Sequence, residues 1–262
     1  MENNKKRLFH LHFSDLTENE LMNSFAFDIE NNKKSFVCTP NLDGLRMSYY
    51  NLDIRKAINT ATYVTIDGKI VHILSKLFHA KIKNKFSGSD MADPVFKLAN
   101  EKKYRVYLFG GKEGVAETAA KNIKDKYPDL VICGTYCPPF GFENNDEECK
   151  KIISNISDSS PNIVLLCCGF PKTEKFYFKY KDEFPNAIYL LIGATIDFIA
   201  GNIKRAPKWM SACGLEWLYR LSKDFKRLFK RYFLDFTFLI KLLFYGIFRK
   251  KKLRKMYLES LM

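Results

Sequence analysis

The stretch RVYLFGGKEGVAETAAKNIKDK, residues 105–126, contains the pattern on which the fold depends. Its first residues, Arg105 to Phe109, are mainly apolar, aromatic or β-branched, which predicts a buried strand. A glycine-rich turn follows, and the segment from Gly114 to Lys126 has the length and composition of a helix. A strand, a tight turn and a helix in this order are the repeating part of α/β proteins. The stretch therefore predicts parallel strands that are connected by helices.

The same alternation extends in both directions along the chain. Short apolar runs predict five further strands, at Phe36–Cys38, Tyr63–Ile66, Leu130–Cys133, Ile163–Cys167 and Ile188–Ile192. Segments of helical length lie between them, at Asp43–Thr60, Met91–Lys102, Glu147–Ser157 and Thr173–Phe184. Thr17 and Glu20 form a capping box that predicts an earlier helix, after the apolar stretch Leu8–Phe13. We therefore expect an α/β fold with a Rossmann-like, mostly parallel sheet and flanking helices.

The composition excludes several classes of protein. Of the 262 residues, 47% are hydrophobic and 27% are charged, and there are 13 Gly and 9 Pro. These values exclude a disordered, collagen-like or low-complexity protein. The seven cysteines form no CxxC pair, and the first residues contain no apolar segment typical of a secretory signal. We therefore expect an intracellular protein with reduced thiols, in which Cys167 and Cys168 are buried strand residues.

Positive charge is concentrated at the C-terminal end of the chain. Thirteen Lys and Arg residues and three acidic residues lie between Arg220 and Met262, so this segment carries +10 of the net charge of +14. The rest of the chain is nearly neutral as a whole. Within residues 218–232, apolar residues recur at helical spacing opposite four basic residues, which predicts an amphipathic, cationic helix. We expect two parts, an α/β domain at 1–208 and a helical appendage at 209–262.

Three arrangements of the appendage agree with the sequence. The mostly apolar segment 232–248 is at the lower limit of length for a membrane span, and it contains Asp235 and Lys241, which are costly in a bilayer. Helices that lie in the membrane interface would use both the apolar side chains and the attraction to anionic lipid, and we favour this arrangement. In the third, a helix packs on the core and its basic face is solvated. No zinc-finger spacing, RRM signature or basic zipper is present, so no nucleic-acid partner is expected.

Candidate site residues follow the predicted strands, because ligands of open parallel sheets bind beyond the carboxyl ends of the strands. Asp67 follows the second strand, where its carboxylate could take a proton from a substrate hydroxyl, or could instead cap the next helix. Gly110 and Gly111 open a turn that could present N–H groups to a diphosphate, or could form an ordinary tight turn. Small or polar residues follow the other strands: Thr39-Pro40-Asn41, Gly134, Gly169-Phe170-Pro171 and Gly193.

Several chemistries lack their signatures. The sequence contains no HExxH motif and no Cys/His spacing typical of a metal site, so no metal and no cofactor are expected. It contains no Gly-x-Ser-x-Gly elbow, which argues against a serine hydrolase. It also contains no Asp-x-Asp pair through which a sugar-nucleotide enzyme could hold Mg²⁺.

The most specific stretch is GATIDFIAG at 193–201, which continues through RAPKWM at 205–210 to GLEWLYRL at 214–221. This stretch resembles the WecG/TagA/CpsF family of bacterial glycosyltransferases. The resemblance covers about residues 7–235. Supporting segments are Thr39-Pro40-Asn41, Asp67-Gly68, Gly88-Ser89-Asp90, the turn 110–117, Pro138-Pro139-Phe140-Gly141 and Gly169-Phe170-Pro171-Lys172 with Glu174.

The resemblance implies an inverting, metal-independent transfer of a sugar from a UDP-sugar to a polyprenyl-diphosphate-linked sugar, at the cytoplasmic face of the membrane. The sugar would be of the N-acetylmannosamine type or a hexose, and the product a teichoic acid, capsule or exopolysaccharide precursor. The family's catalytic base falls on Asp67, and its active-site threonine and asparagine fall on Thr39 and Asn41. Its membrane-docking appendage, which supplies arginines to the site, falls on residues 209–231. Other positions expected to bind substrate are Lys85, Asp90, Gly110, Gly111, Gly169, Pro171, Thr173, Glu174, Gly193, Asp197, Arg205, Arg220 and Arg227.

Two positions depart from the family pattern. Lys85 stands where the family usually has Arg, which keeps the charge but loses the bidentate fork suited to phosphate. Thr173 stands where the family usually has Gln. These two differences would alter the sugar preference or reduce the activity. The alternative function is that of a catalytically altered, membrane-associated scaffold of a polysaccharide assembly complex.

Two acidic residues of the specific stretch also have simpler possible roles. Asp197 could cap a helix, and Glu216 could pair with arginines. The sequence also agrees with a homo-oligomer.

Overall fold

A computed structural model of the chain describes residues 5–248 and contains a six-stranded parallel sheet. An antiparallel hairpin of β1 (Lys5–Leu8) and β2 (Leu11–Ser14) precedes the sheet. The sheet consists of β3 (Ser35–Cys38), β4 (Tyr63–Val64), β5 (Arg105–Gly110), β6 (Val131–Tyr136), β7 (Ile163–Cys167) and β8 (Ile188–Leu191), in the order β4-β3-β8-β7-β5-β6. The predicted α/β class and the parallel sheet are confirmed, and all six predicted strands are present.

Helices cover both faces of this sheet. In chain order they are α1 (Glu18–Glu30), α2 (Leu42–Tyr50), α3 (Leu52–Asn59), α4 (Lys69–Leu77), α5 (Gly88–Lys102), α6 (Val115–Lys126), α7 (Asp146–Asp158), α8 (Lys172–Tyr180), α9 (Thr195–Ile199), α10 (Lys208–Cys213), α11 (Glu216–Lys223) and α12 (Phe225–Phe248). The capping box at the start of α1 is confirmed, because Thr17 and Glu20 each accept a hydrogen bond from the other's backbone N–H.

The segment 43–60, predicted as one helix, forms two. Asn51 adopts an extended backbone conformation between α2 and α3, and its side-chain oxygen accepts hydrogen bonds from the N–H groups of Asp53 and Ile54. This capping satisfies the open end of α3, so the chain turns at Asn51 instead of continuing as a helix.

Alternate residues of the strands enter two separate cores, one on each face of the sheet. The first core contains Val71 and Leu74 of α4, together with residues of α2, α3, α7, α8 and α12. The second core contains residues of α1, α5, α6 and α9. Strand residues such as Phe109 face the first core and Leu108 the second, as the two-residue period of a strand requires. Helices α4 and α12 therefore lie on the same side of the sheet.

The helix predicted within 218–232 is interrupted. Asp224 has non-helical backbone angles, which end α11, and α12 then continues without a break to Phe248. The interruption changes which side chains share a face, so Leu218 and Phe225, predicted on the apolar face with Leu228, are exposed while Leu228 is buried. The last residues of the expected appendage, 249–262, lie outside the described residues.

Helix α12 packs on α2 through apolar residues and a buried ion cluster. Phe238 and Leu242 are buried against the first core. Arg46 of α2 bridges two buried carboxylates, with its Nη2 2.5 Å from Asp43 and its Nε 2.7 Å from Asp235. Arg231 lies 3.0 Å from the second oxygen of Asp43. Within residues 5–248, no helix combines the length and the apolar character needed to cross a membrane.

Candidate active site

The loops after β3 and β4 are joined at the carboxyl edge of the sheet. The N–H of Asp67 donates a hydrogen bond to the carbonyl of Pro40 at 3.3 Å, which brings Asp67 beside Thr39 and Asn41. Asn41 caps α2, because its Oδ1 accepts a hydrogen bond from the N–H of Gly44 at 3.1 Å. Thr39 is half-buried. The three residues that were expected to act in catalysis are therefore neighbours, although they come from two separate parts of the chain.

The carboxyl group of Asp67 is half-buried and surrounded by charged side chains. Burial raises its pKa to about 6. Arg220 and Lys85 oppose this increase, whereas Glu216 and Asp90 reinforce it. A carboxyl group whose pKa lies close to neutral pH suits a general base, because it is ionised at neutral pH yet still holds a proton well.

Asp67 does not cap the helix that follows it. The N-cap position of α4 belongs to Gly68, which has a φ of 87° and provides no side-chain cap. A residue with a β-carbon would be strained at that φ, so glycine suits this turn between Asp67 and α4. The capping role that the sequence left open for Asp67 is therefore absent, and its carboxyl group remains available for chemistry.

Helix α11 brings charged groups from the appendage to this edge. Arg220 pairs with Glu216 at 2.7 Å, as the sequence allowed, and its guanidinium lies 5.2 Å from the centre of the Phe198 ring. Arg205 lies 5.7 Å from the same ring. Phe198 thus orients two arginines through cation–π contacts. The sequence does not indicate this role, because a phenylalanine inside an apolar motif gives no information about which cations lie close to it in the folded protein.

A second group of charges surrounds the N-terminus of α5. Asp90 lies 3.7 Å from Lys85 and 3.8 Å from Arg205, and Arg205 also donates a hydrogen bond to the carbonyl of Ser89 at 2.5 Å. Three of the predicted binding residues are therefore together. Beside them is a cavity of about 500 Å³, which Asp90, Arg205 and Asn122 help to line.

The glycine turn after β5 lies near the short helix α9. At Gly110, which has a φ of 119°, a β-carbon would come within 2.6 Å of the carbonyl group of Cys167. Packing against β7 thus provides a structural reason for this glycine, independent of any ligand. Burial raises the pKa of Asp197 in α9, and Lys112 of the turn and Arg227 of α12 oppose the increase. Asp197 does not cap α9, because Ala194 holds the N-cap position of that helix. Gly193, directly before Ala194, has a φ of 55°.

Of the residues that follow β7, Thr173 and Glu174 are buried, and those from Cys168 to Lys172 are half-buried. Thr173 is 1% exposed and its hydroxyl donates to the carbonyl of Gly169, while Pro171 follows a cis peptide bond. Glu174 is 6% exposed, and its Oε2 has no hydrogen-bond partner among the described residues. Burial raises the pKa of Glu174 to about 8. Their predicted role in binding substrate remains a prediction, because side chains buried this deeply influence a ligand mainly through the loop that they support.

Two further expectations concern metal ligands and cysteines. In the part of the chain that the structure describes, no group of three or more His, Cys, Asp or Glu residues could hold a metal ion. Cys167 is buried in β7, as expected, whereas the prediction for Cys168 is wrong, because β7 ends at Cys167 and Cys168 is half-buried in the loop that follows.

Comparison with known proteins shows the family to which the chain is related. The chain matches the family model described as glycosyl transferase WecG/TagA/CpsF over residues 6–252. It is 30% identical over 169 residues to the N-acetylglucosaminyldiphosphoundecaprenol N-acetyl-β-D-mannosaminyltransferase of Bacillus subtilis, and the alignment covers 64% of each chain, slightly less than two thirds. Proteins of the same name from Bacillus spizizenii and Staphylococcus aureus are 29% and 24% identical over 193 residues, which is 74% of this chain and 73% and 74% of theirs.

Proposed function

The chain belongs to the WecG/TagA/CpsF family of glycosyl transferases, and we propose that it transfers a sugar from a UDP-sugar to a polyprenyl-diphosphate-linked sugar with inversion at the anomeric carbon. The observation that carries the proposal is the Asp67 carboxyl group, which has a pKa raised to about 6 and lies near two cations, Lys85 of the loop before α5 and Arg220 of α11. This edge contains both a base for an acceptor hydroxyl and positive charge for a diphosphate.

In the proposed reaction, the Asp67 carboxylate accepts the proton of an acceptor hydroxyl. The hydroxyl oxygen forms a bond to the anomeric carbon of the donor sugar as the bond from that carbon to the UDP oxygen breaks. The electron pair of the broken bond leaves with UDP, so one nucleophilic displacement inverts the anomeric configuration. Thr39 and Asn41, next to Asp67 across the Pro40 hydrogen bond, are proposed to orient the substrates.

The departing diphosphate requires stabilisation of its negative charge. We assign this task to Arg205 and Arg220, which Phe198 orients, and to Lys85. Fixed cations in a partly buried site stabilise developing charge without reorganisation, so the proposed reaction needs no bound metal ion. Lys112 in the glycine turn and Arg227, both near Asp197, are placed to add further positive charge.

The names of the relatives support a choice of substrates. Each is named as a mannosaminyltransferase that acts on N-acetylglucosaminyldiphosphoundecaprenol. We propose the same acceptor class and an N-acetylmannosamine-type donor for this chain, with a hexose donor as the alternative that Lys85 and Thr173 leave open. Both positions lie at or beneath the candidate site, where a change of side chain would alter which sugar fits.

We further propose that α12 contacts the cytoplasmic face of the membrane in which such an acceptor is anchored. Apolar side chains that are 50% exposed or more form one stripe along the helix: Phe225, Phe229, Phe233, Phe236, Ile240 and Phe244. The opposite face packs on the first core through Leu228, Phe238 and Leu242. An aromatic stripe flanked by basic residues is typical of a helix that lies in the membrane interface.

A transfer assay tests the proposal. The full-length protein is incubated in EDTA with a lipid-diphosphate-linked N-acetylglucosamine and a panel of UDP-sugars, and the disaccharide lipid is quantified. We expect transfer from one donor in the wild type and a loss of at least about 100-fold in Asp67→Asn, with UDP binding retained. Absence of transfer from every donor, with UDP still bound, would contradict this acceptor; absence of UDP binding would favour a scaffold.

A further inference from the structure

A second basic and apolar surface lies outside the appendage, on α4. The segment from Lys69 to Ser89 contains five lysines and two histidines and no acidic residue. The net charge does not indicate this local concentration of positive charge, because the region outside the appendage is nearly neutral as a whole. The segment is ordered as α4 and the loop that follows it.

One face of α4 combines apolar and basic side chains that are all exposed. Ile73 is 51% exposed and Leu77 is 48% exposed, and Lys69 and Lys76 are exposed on the same face at helical spacing. We refer to these four residues as the α4 face. The opposite face, with Val71, Leu74 and Ser75, is buried in the first core. The position of α4 is therefore fixed, and Ile73, Lys76 and Leu77 lie on the side of the helix that faces away from the first core.

The loop after α4 adds positive charge without a compensating exposed acid. Lys81 and Lys83 are exposed. The nearby carboxylate of Asp15 is buried, pairs with Lys6 at 2.7 Å, and accepts hydrogen bonds from the N–H groups of Lys83 and Asn84. Asp15 thus holds the loop in place while the lysine side chains remain at the surface.

We propose that the α4 face and the two loop lysines form a second contact with an anionic membrane surface, separate from the contact proposed for α12. Three observations favour a bilayer as the occupant. The lysines complement anionic head groups, and the two aliphatic side chains can enter the interface. Helices α4 and α12 lie on the same side of the sheet. Finally, Lys69 is next to the start of α11, since a β-carbon on Gly214 would lie 3.1 Å from its Cδ.

This contact has a consequence for the reaction. Because α4 begins two residues after Asp67, a membrane bound to the α4 face lies against the element that positions the base. The inference rests on the lipid-linked acceptor of the proposed function, whose reacting hydroxyl would be held close to the bilayer. Two separated contacts also restrict the rotation of the protein on the membrane, which a single helix does not.

The test measures how strongly three variants of the full-length protein bind lipid vesicles, by co-sedimentation. The vesicles consist of phosphatidylcholine, either alone or mixed with the anionic lipid phosphatidylglycerol. The charge variant carries Lys76→Gln, Lys81→Gln and Lys83→Gln, and the apolar variant carries Ile73→Ser and Leu77→Ser. The control variant carries Lys97→Gln, Lys121→Gln and Lys124→Gln, three exposed lysines on α5 and α6 across the sheet. The control has the same net charge as the charge variant, so it corrects for long-range attraction.

We expect the charge variant to bind anionic vesicles at least about tenfold more weakly than the control, because each lysine at such a surface contributes about fivefold. The apolar variant is expected to lose affinity as well, while both retain the wild-type thermal melting curve. Vesicle binding equal to that of the control would overturn the proposal. So would a change in self-association at unchanged vesicle binding, which would make the face a contact between two copies.

Transfer to a water-soluble, short-chain acceptor separates this inference from the proposed function. All three variants are expected to catalyse that transfer at the wild-type rate, because none of the altered residues belongs to the candidate site. If the wild type itself transfers no sugar, the proposed function fails, and the vesicle comparison still decides the membrane contact. If the wild type is active and the α4 variants bind vesicles as the control does, only the present inference fails.

Discussion

Replacement of Asp67 by asparagine is expected to lower activity and to raise stability in the same variant. The activity falls because asparagine cannot accept the proton of the acceptor hydroxyl, and a lost general base costs at least about 100-fold in turnover. The stability rises because the wild-type protein holds a partly buried carboxylate at neutral pH. Opposite changes of activity and stability distinguish a functional group from one that only supports the fold.

The stability gain follows from the pKa of the Asp67 carboxyl group. Burial raises that pKa from 3.8 to about 6. Each pK unit corresponds to about 1.4 kcal/mol, so the gain for Asp67→Asn at neutral pH is at most about 3 kcal/mol. Because the folded-state pKa is raised, the stabilising contribution of the protonated carboxyl is complete below about pH 3.8 and is lost as the pH rises through about 6. The advantage of asparagine should therefore be absent near about pH 4, grow as the pH rises to about 6, and stay constant above that pH.

Urea unfolding followed by circular dichroism at a series of pH values measures this difference, and the transfer assay measures the activity. Asp146→Asn is the matched control, because the hydrogen bond from Lys179 lowers the pKa of that carboxyl group. This exposed residue should show no stability gain on neutralisation and no loss of activity. Turnover in Asp67→Asn above about one tenth of the wild-type value would refute the role of Asp67 as the base. A stability gain that persists near about pH 4 would refute the electrostatic account of its pKa.

Three further predictions concern buried groups. Replacing Arg46 with Met leaves Asp43 and Asp235 buried without the cation between them, and we expect the free energy of unfolding to fall by about 3–5 kcal/mol. Trypsin should then cleave α12 at a lower urea concentration than in the wild type. Resistance equal to that of the wild type would contradict this prediction. For Glu174→Gln, the gain in unfolding free energy over the wild type should increase between about pH 4.5 and about pH 8 and level off above, because burial raises the pKa of Glu174 in the folded protein. A difference that does not change with pH would rule this out. Gly110→Ala places a β-carbon 2.6 Å from the carbonyl group of Cys167 and should lower the melting temperature. Gly141→Ala is the control, because no atom lies within 4 Å of the added β-carbon, and it should lower the melting temperature far less. Equal effects of the two substitutions would mean that the loop after β5 moves freely.

The sheet could be predicted from the sequence because its strands are buried on both faces. The runs at Ile163–Cys167 and Ile188–Leu191 are continuously apolar, which is the signature of a central parallel strand, and both were predicted to within one residue. The strand at Tyr63–Val64 is shorter than predicted, since Thr65 and Ile66 already belong to the loop that approaches Pro40.

Other elements could not be predicted because their decisive interactions are not local. Helix α4 begins at a glycine without a capping side chain, so its start carries none of the usual signals. The hairpin of β1 and β2 turns at Phe9, which has a φ of 57°, a conformation that no sequence pattern assigns to phenylalanine. The break at Asp224 likewise ended the apolar periodicity that suggested one continuous helix at 218–232.

The sequence names candidate residues for the site but does not show which of them come together. Motif residues such as Asp67 and Arg205 could be named from the sequence, because each follows a strand or belongs to a specific stretch. That Arg220 and Glu216 act on the pKa of Asp67 depends on how α11 returns across the sheet edge, which spacing along the chain does not encode. The assignment of each residue to a substrate remains a prediction that the assays above address.

The placement of Arg220 on α11 also has a consequence for the order of synthesis. All six strands end before residue 192, so the sheet and the loop that carries Asp67 can form while the appendage is still unsynthesised. The nascent protein then holds Asp67 but lacks Arg220, which opposes the increase of its pKa. Under the proposed function, the site would therefore be complete only once α11 has been synthesised and has packed beside the sheet.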